Sequence, residues 1–162
     1  MKIGWSTGQA TLLAALVVGA ATGGPYDIVL LPGPRAPTAR GAARLVFADS
    51  PFGVAVTEDG RHSYNVRIHA RGLPEPATLG AFHAFVAWEV SPDLSQWRRL
   101  GVVTNGSTTV GRAEMNKFLL VITAELDTMP ARHVGPTVLH GTSPSGWLQT
   151  FLTHPLFRGI SQ

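Results

Sequence analysis

The chain has 162 residues, of which 44% are apolar, 14% are charged and none is cysteine. That supports one packed domain with an appendage and excludes disulfides, thiolate zinc sites, covalently attached haem and cysteine-ligated copper. The pI is near 10, yet the net charge is only +3 and the eleven arginines are scattered with no run of four, whereas a nucleic-acid site calls for a basic stripe interleaved with aromatics.

The first element, Ile3 to Tyr26, is 24 residues without a charge. It reads in two ways. As a signal peptide it has Lys2 ahead of it, an apolar run from Leu12 to Val18 and small residues at Gly19-Ala20-Ala21, which place a cleavage after Ala21. As an anchor it spans about 36 Å as a helix, against roughly 30 Å of bilayer hydrocarbon. Trp5 and Tyr26 bracket it as interfacial aromatics do. Gly4-x-x-x-Gly8 and Ala15-x-x-x-Gly19-x-x-x-Gly23 form small-residue ladders that admit a second helix. The expectation is a retained membrane helix, residues 1–26, packed on a partner. Lys2 on one side and Arg35, Arg40 and Arg44 on the other favour a cytoplasmic domain by the positive-inside count. The signal-like opening favours the periplasmic side, which is the orientation expected.

Residues 27–42, with "LLPGPRAPTARG", carry prolines, glycines and arginines without an apolar period and read as an extended linker. From residue 43 the period becomes two. "ARLVFA" and "FGVAVT" are β-prone, and Asp59-Gly60 is a hairpin turn signal. In "HSYNVRIHAR" the residues Tyr64, Val66, Ile68 and Ala70 face one way and Asn65, Arg67, His69 and Arg71 the other. "GLPEP" breaks the run. Phe82, Ala84, Val86, Trp88 and Val90 then share one face of "AFHAFVAWEV". Asn105-Gly106 predicts a second hairpin between "WRRLGVV" and "TTVGRAEM". "KFLLVITAE", apolar on both faces, predicts a central strand, and "PTVLHGT" the last one. Residues 147–162 form an amphipathic tail, with Trp147, Leu148, Phe151 and Leu152 at helical spacing. The fold expected for residues 43–146 is all-β, an antiparallel immunoglobulin-like β-sandwich.

The stretches "FVAWEVSPDLSQWRRLGVVTNG", "FLLVITAEL" and "VLHGTSPSG" together resemble a β-sandwich domain found ahead of the cupredoxin domains in some bacterial secreted multicopper oxidases. More remotely, the Trp-bearing strand, Leu100-Gly101 and the apolar strand ending in Glu125 resemble the outer domain of anti-sigma-K-type membrane proteins. Both resemblances imply a sandwich fold. Neither carries functional residues over to this sequence.

The residues offer little chemistry. His62, His69, His83, His133, His140 and His154 include no His-x-His pair, the spacing that would put two ligands on one strand face. Gly141-x-Ser143-x-Ser145 lacks the last glycine of a nucleophile elbow. The carboxylates Glu58, Asp59, Glu125 and Asp127 make neither an EF-hand loop nor an acid/base pair. No catalytic residue, cofactor or metal site is expected. Two functions stay open. One is a non-enzymatic, membrane-tethered periplasmic subunit bracing a larger complex, an electron-transfer or photosynthetic reaction-centre assembly being one setting. Its expected contacts are lipid, other subunits and a partner helix along Gly4, Trp5, Gly8, Ala15, Gly19, Gly23 and Tyr26, with no nucleic acid. The other is a free secreted binding module associated with a copper oxidase.

Overall fold

The computed structural model of the protein describes residues 26–50, 53–54 and 63–144. They form β1 (Asp27–Pro32), β2 (Arg40–Phe47), the short pair β3 (Asp49–Ser50) and β4 (Gly53–Val54), β5 (Tyr64–Arg71), a 3₁₀ turn at Pro76–Leu79, β6 (Ala84–Val90), β7 (Trp97–Val103), β8 (Gly106–Ala113), β9 (Leu119–Glu125) and β10 (Thr137–Thr142). Apart from β3 and β4, the strands join in the order β7-β6-β9-β10-β1-β2-β5-β8, every neighbouring pair antiparallel. The architecture is all-β, as the period-two pattern predicts.

The strand β1 divides its pairing. Asp27 to Leu30 pair with β2, while Leu31 and Pro32 pair with β10. It thereby joins one half, β2-β5-β8, to the other, β7-β6-β9-β10. The main core draws on both halves. It takes Ile28, Leu30, Ala43, Leu45, Val66, Ile68 and Ala70 from one and Phe85, Leu100, Leu120, Ile122 and Leu139 from the other.

The stretch 27–42 is therefore no linker. Its first residues sit in the middle of the strand order, and Ile28 and Leu30 are both 1% exposed. The turns that follow bury Ala36 and Ala39 and are closed by backbone bonds from Ala36 to Gly33 and from Ala39 to Ala36. Gly33, Pro34 and Pro37 belong to those turns, while Pro32 ends β1 and Gly41 lies in β2. "DIVLL" alternates over too few residues to stand out beside them.

The face assignments of β5 hold: Val66, Ile68 and Ala70 are buried, and Arg67, His69 and Arg71 are exposed. The strand β6 is buried on both sides. Phe85 and Ala87 enter the main core, whereas Ala84, Val86, Trp88 and Val90 form a second cluster with Val121. The strand β9 lies between β6 and β10 and is almost wholly buried, as a doubly apolar run predicts.

Asn105-Gly106 does not close a hairpin. The strands it connects pair with β6 and β5 respectively and stand at opposite ends of the strand order. The turn carries the chain from one half to the other, with Gly106 at φ 102°, a conformation that glycine adopts without a Cβ penalty. The strands still approach each other. A Cβ at Gly111 would stand 2.8 Å from the Leu100 carbonyl oxygen, and Arg98 Nη2 donates to the Arg112 carbonyl at 2.6 Å. The Asp59-Gly60 turn, the segment before Tyr26 and the tail 147–162 lie outside the described residues.

Candidate functional site

The expected partner-helix residues Gly4, Trp5, Gly8, Ala15, Gly19 and Gly23 lie outside the described residues. Tyr26 is described and closes the charge-free stretch. Its ring packs edge-on against Phe47, with centroids 5.3 Å apart, and lies 6.3 Å from Tyr64. Phe47 and Tyr64 are also in contact at 5.1 Å. Burial pushes the Tyr64 phenol above its ordinary pKa, with Tyr26 adding to the shift. These rings crown the end of β2 and β5, and Asp27 enters β1 directly after Tyr26. Among the described residues no helix is long and apolar enough to cross a membrane.

At another edge a cleft of about 290 Å³ opens between the loop after β5 and the turn joining β7 to β8. Leu73, Phe85 and Val103 are its buried lining, and Glu75, His83 and Asn105 its exposed rim. Asn105 shapes it. Its Oδ1 accepts from the Leu73 amide at 3.0 Å and its Nδ2 donates to the Leu73 carbonyl at 2.8 Å. The volume is at the small end of ligand clefts, roughly 300–1,000 Å³. No side-chain hydrogen bond joins Glu75 to His83, so the rim carries no assembled acid/base pair among the described residues.

Two buried carboxylates escape sequence reasoning. Glu89, 0% exposed, takes the Glu114 and Met115 amides on Oε1 at 2.8 and 2.7 Å. Its Oε2 takes Arg98 Nε at 2.8 Å and Nη2 at 2.6 Å. Arg98 reaches Glu114 as well, at 3.2 Å. Glu125, also 0% exposed, takes the Thr123 hydroxyl and the Val134 amide. Trp88 Nε1 in turn donates to Thr123 Oγ1 at 2.8 Å. Each carboxylate collects donors from a loop that returns to the sheet, as burial of a charge requires. Their alternation within apolar strands is the only sequence trace of this. Both are engaged by donors of the fold itself.

The described histidines lie apart: His69 on the outer side of β5, His83 before β6, His133 stacked on Trp97 at 3.6 Å, and His140 on β10. His69 Nδ1 is 3.1 Å from Ser107 Oγ. No three of the histidine, aspartate and glutamate side chains gather in a ligand-like group among the described residues. Ser143 is buried, its Oγ accepting from the Phe118 amide at 3.0 Å while its own amide donates to the Phe118 carbonyl. It clamps the end of β10. No protein-family model, curated protein or solved structure matches the chain.

Proposed function

We propose that the chain is a non-enzymatic accessory subunit, tethered at the periplasmic side of a membrane through Ile3–Tyr26, whose β-domain braces a larger complex. The observation that supports this is the junction at Tyr26. The ring caps Phe47 and Tyr64, and the next residue is already in β1, between β2 and β10. No residue separates Tyr26 from β1, so the described part of the chain enters the sheet directly after the apolar stretch ends. The exchange of β1 between the two halves supports an immunoglobulin-like sandwich as the detailed form of the fold.

The mass of the chain recovered from salt-washed membranes tests the tether. An intact amino terminus is expected, and a mature chain starting near Thr22 overturns it. Replacing Gly8 and Gly19 by leucine keeps the stretch apolar and blocks close helix approach. That variant is expected to stay in the membrane and to leave its complex more readily in detergent.

A further inference from the structure

We propose that the outer face of β1, β2, β5 and β8 docks on anionic phospholipid headgroups. The face assembles arginines that the sequence scatters. Arg40 and Arg44 of β2, Arg67 and Arg71 of β5 and Arg112 of β8 all point outward and are exposed. The register sets Arg44 directly opposite Arg67, and Arg40 directly opposite Arg71. Like charges facing each other across neighbouring strands oppose folding, so two such pairs indicate a demand other than stability.

Compensation within the face is slight. Asp27 pairs with Arg44 at 2.8 Å, and Arg40 donates to the Pro37 and Ala39 carbonyls. The guanidinium groups of Arg67, Arg71 and Arg112 have no acidic partner among the described residues. Glu75, Glu89, Asp93, Glu114, Glu125 and Asp127 all lie outside β1, β2, β5 and β8, and Asp49 belongs to β3. Among the described residues of these strands, five outward arginines stand against one aspartate, while the whole chain carries a net charge of +3.

The neighbours of the arginines select the occupant. Val29, Leu31 and Val46 stand among them at 54%, 54% and 45% exposure. Ala42, Asn65, His69, Ser107 and Thr109 fill the other outward positions. The one ring among these positions is the His69 imidazole, its Nδ1 3.1 Å from Ser107 Oγ; no phenylalanine, tyrosine or tryptophan interleaves the guanidinium groups, as a stacking platform for nucleic-acid bases requires. Guanidinium forks among short aliphatic side chains match the phosphate and glycerol layer of a bilayer surface. Position agrees: Asp27, one residue after the apolar stretch, shares its cross-strand row with Arg44 and Arg67. The choice of lipid over another polyanion rests on the tether proposed above.

The chain has no cysteine, so the single change Ser107→Cys on this face takes an environment-sensitive fluorophore at one position. A second variant, Ala77→Cys, carries the fluorophore on the 3₁₀ turn. Full-length protein is placed with phosphatidylcholine vesicles, with and without phosphatidylglycerol. The label at 107 is expected to shift to an apolar-interface signal only with phosphatidylglycerol, and the label at 77 is expected not to respond. The triple change R44Q/R67Q/R71Q removes like-charge contacts, so circular dichroism should show it folded, with the response weakened roughly ten-fold or more. An equal signal on neutral vesicles, or none on anionic ones, overturns the inference. So does loss of the signal to competing polyglutamate, RNA or inorganic phosphate at matched ionic strength, which would assign the face to an acidic protein, a nucleic acid or a free anion. Retention on neutral vesicles after a salt wash reads the tether separately: retention with a silent 107 label removes this inference alone, and release with a responding label removes the tether alone.

Discussion

Trp88 of β6 and Thr123 of β9 are joined by a 2.8 Å bond from the indole Nε1 to the threonine Oγ1, on the side of the sheet turned away from the main core. Trp97 and His133 lie edge-on to the same indole, each with centroids 6.3 Å from it. The Trp88→Ala change therefore removes a buried ring and a donor at once, and is expected to cost about 3–5 kcal/mol. Trp88→Phe keeps most of the ring and deprives Thr123 of its donor, for about 1–2 kcal/mol. Urea unfolding checks both, and a loss below about 1 kcal/mol for the alanine variant would show that the second cluster carries no stability.

Glu89 holds the loop after β8 through the Glu114 and Met115 amides and holds β7 through Arg98. Removing one partner of a buried pair strands the others, so Glu89→Ala is expected to cost about 3–5 kcal/mol. Arg98 is 38% exposed and can find water, which places the effect toward the lower end. Hydrogen exchange at the Glu114 and Met115 amides should accelerate. Unchanged exchange there argues against the carboxylate as the loop's clamp.

The Asn105 side chain gives and takes a bond at Leu73. Asn105→Asp keeps the acceptor and loses the donor, leaving the Leu73 carbonyl facing a carboxylate. A loss of about 1–3 kcal/mol is expected, and Asn105→Ala should match or exceed it. Equal stability of all three proteins in urea would mean that water replaces the amide without cost.

Asp93 is held as a carboxylate by the Ser91 hydroxyl first, then by the Ser95 hydroxyl and amide, and its pKa falls from 3.8 to about 2. A depressed folded-state value means that its contribution to stability is complete above the ordinary carboxylate range and disappears as pH falls through about 2. Ser91→Ala should move the Asp93 titration upward, read by its side-chain NMR signal. A midpoint that does not move would remove Ser91 as the main cause.

Where β7 and β8 approach, Gly111 leaves no room beside the Leu100 carbonyl. Gly111→Val is expected to cost about 1–3 kcal/mol through backbone displacement. Thermal unfolding at the wild-type temperature would show that the two strands separate without penalty.

The sequence by itself determined the all-β class, the two faces of β5, the shared face of Ala84, Val86, Trp88 and Val90 on β6 and the central place of β9, whereas Phe82, expected on that same face, packs on the main core instead. Side-chain direction alternates with strict period two, so burial writes itself into neighbouring residues. The charge-free stretch from Ile3 to Tyr26 is likewise a property of composition alone. Tertiary structure decided the rest, because strand pairing joins residues far apart in the chain. "DIVLL" reads as linker until β2 and β10 close on either side of it. Asn105-Gly106 carries a hairpin signal, yet its flanking strands find their partners in β6 and β5. The buried roles of Glu89 and Glu125 depend on amides that loops bring back from residues 114, 115 and 134. The arginines form no run in the chain. Cross-strand register sets Arg44 beside Arg67 and Arg40 beside Arg71, so a charged face arises from residues that no local pattern connects.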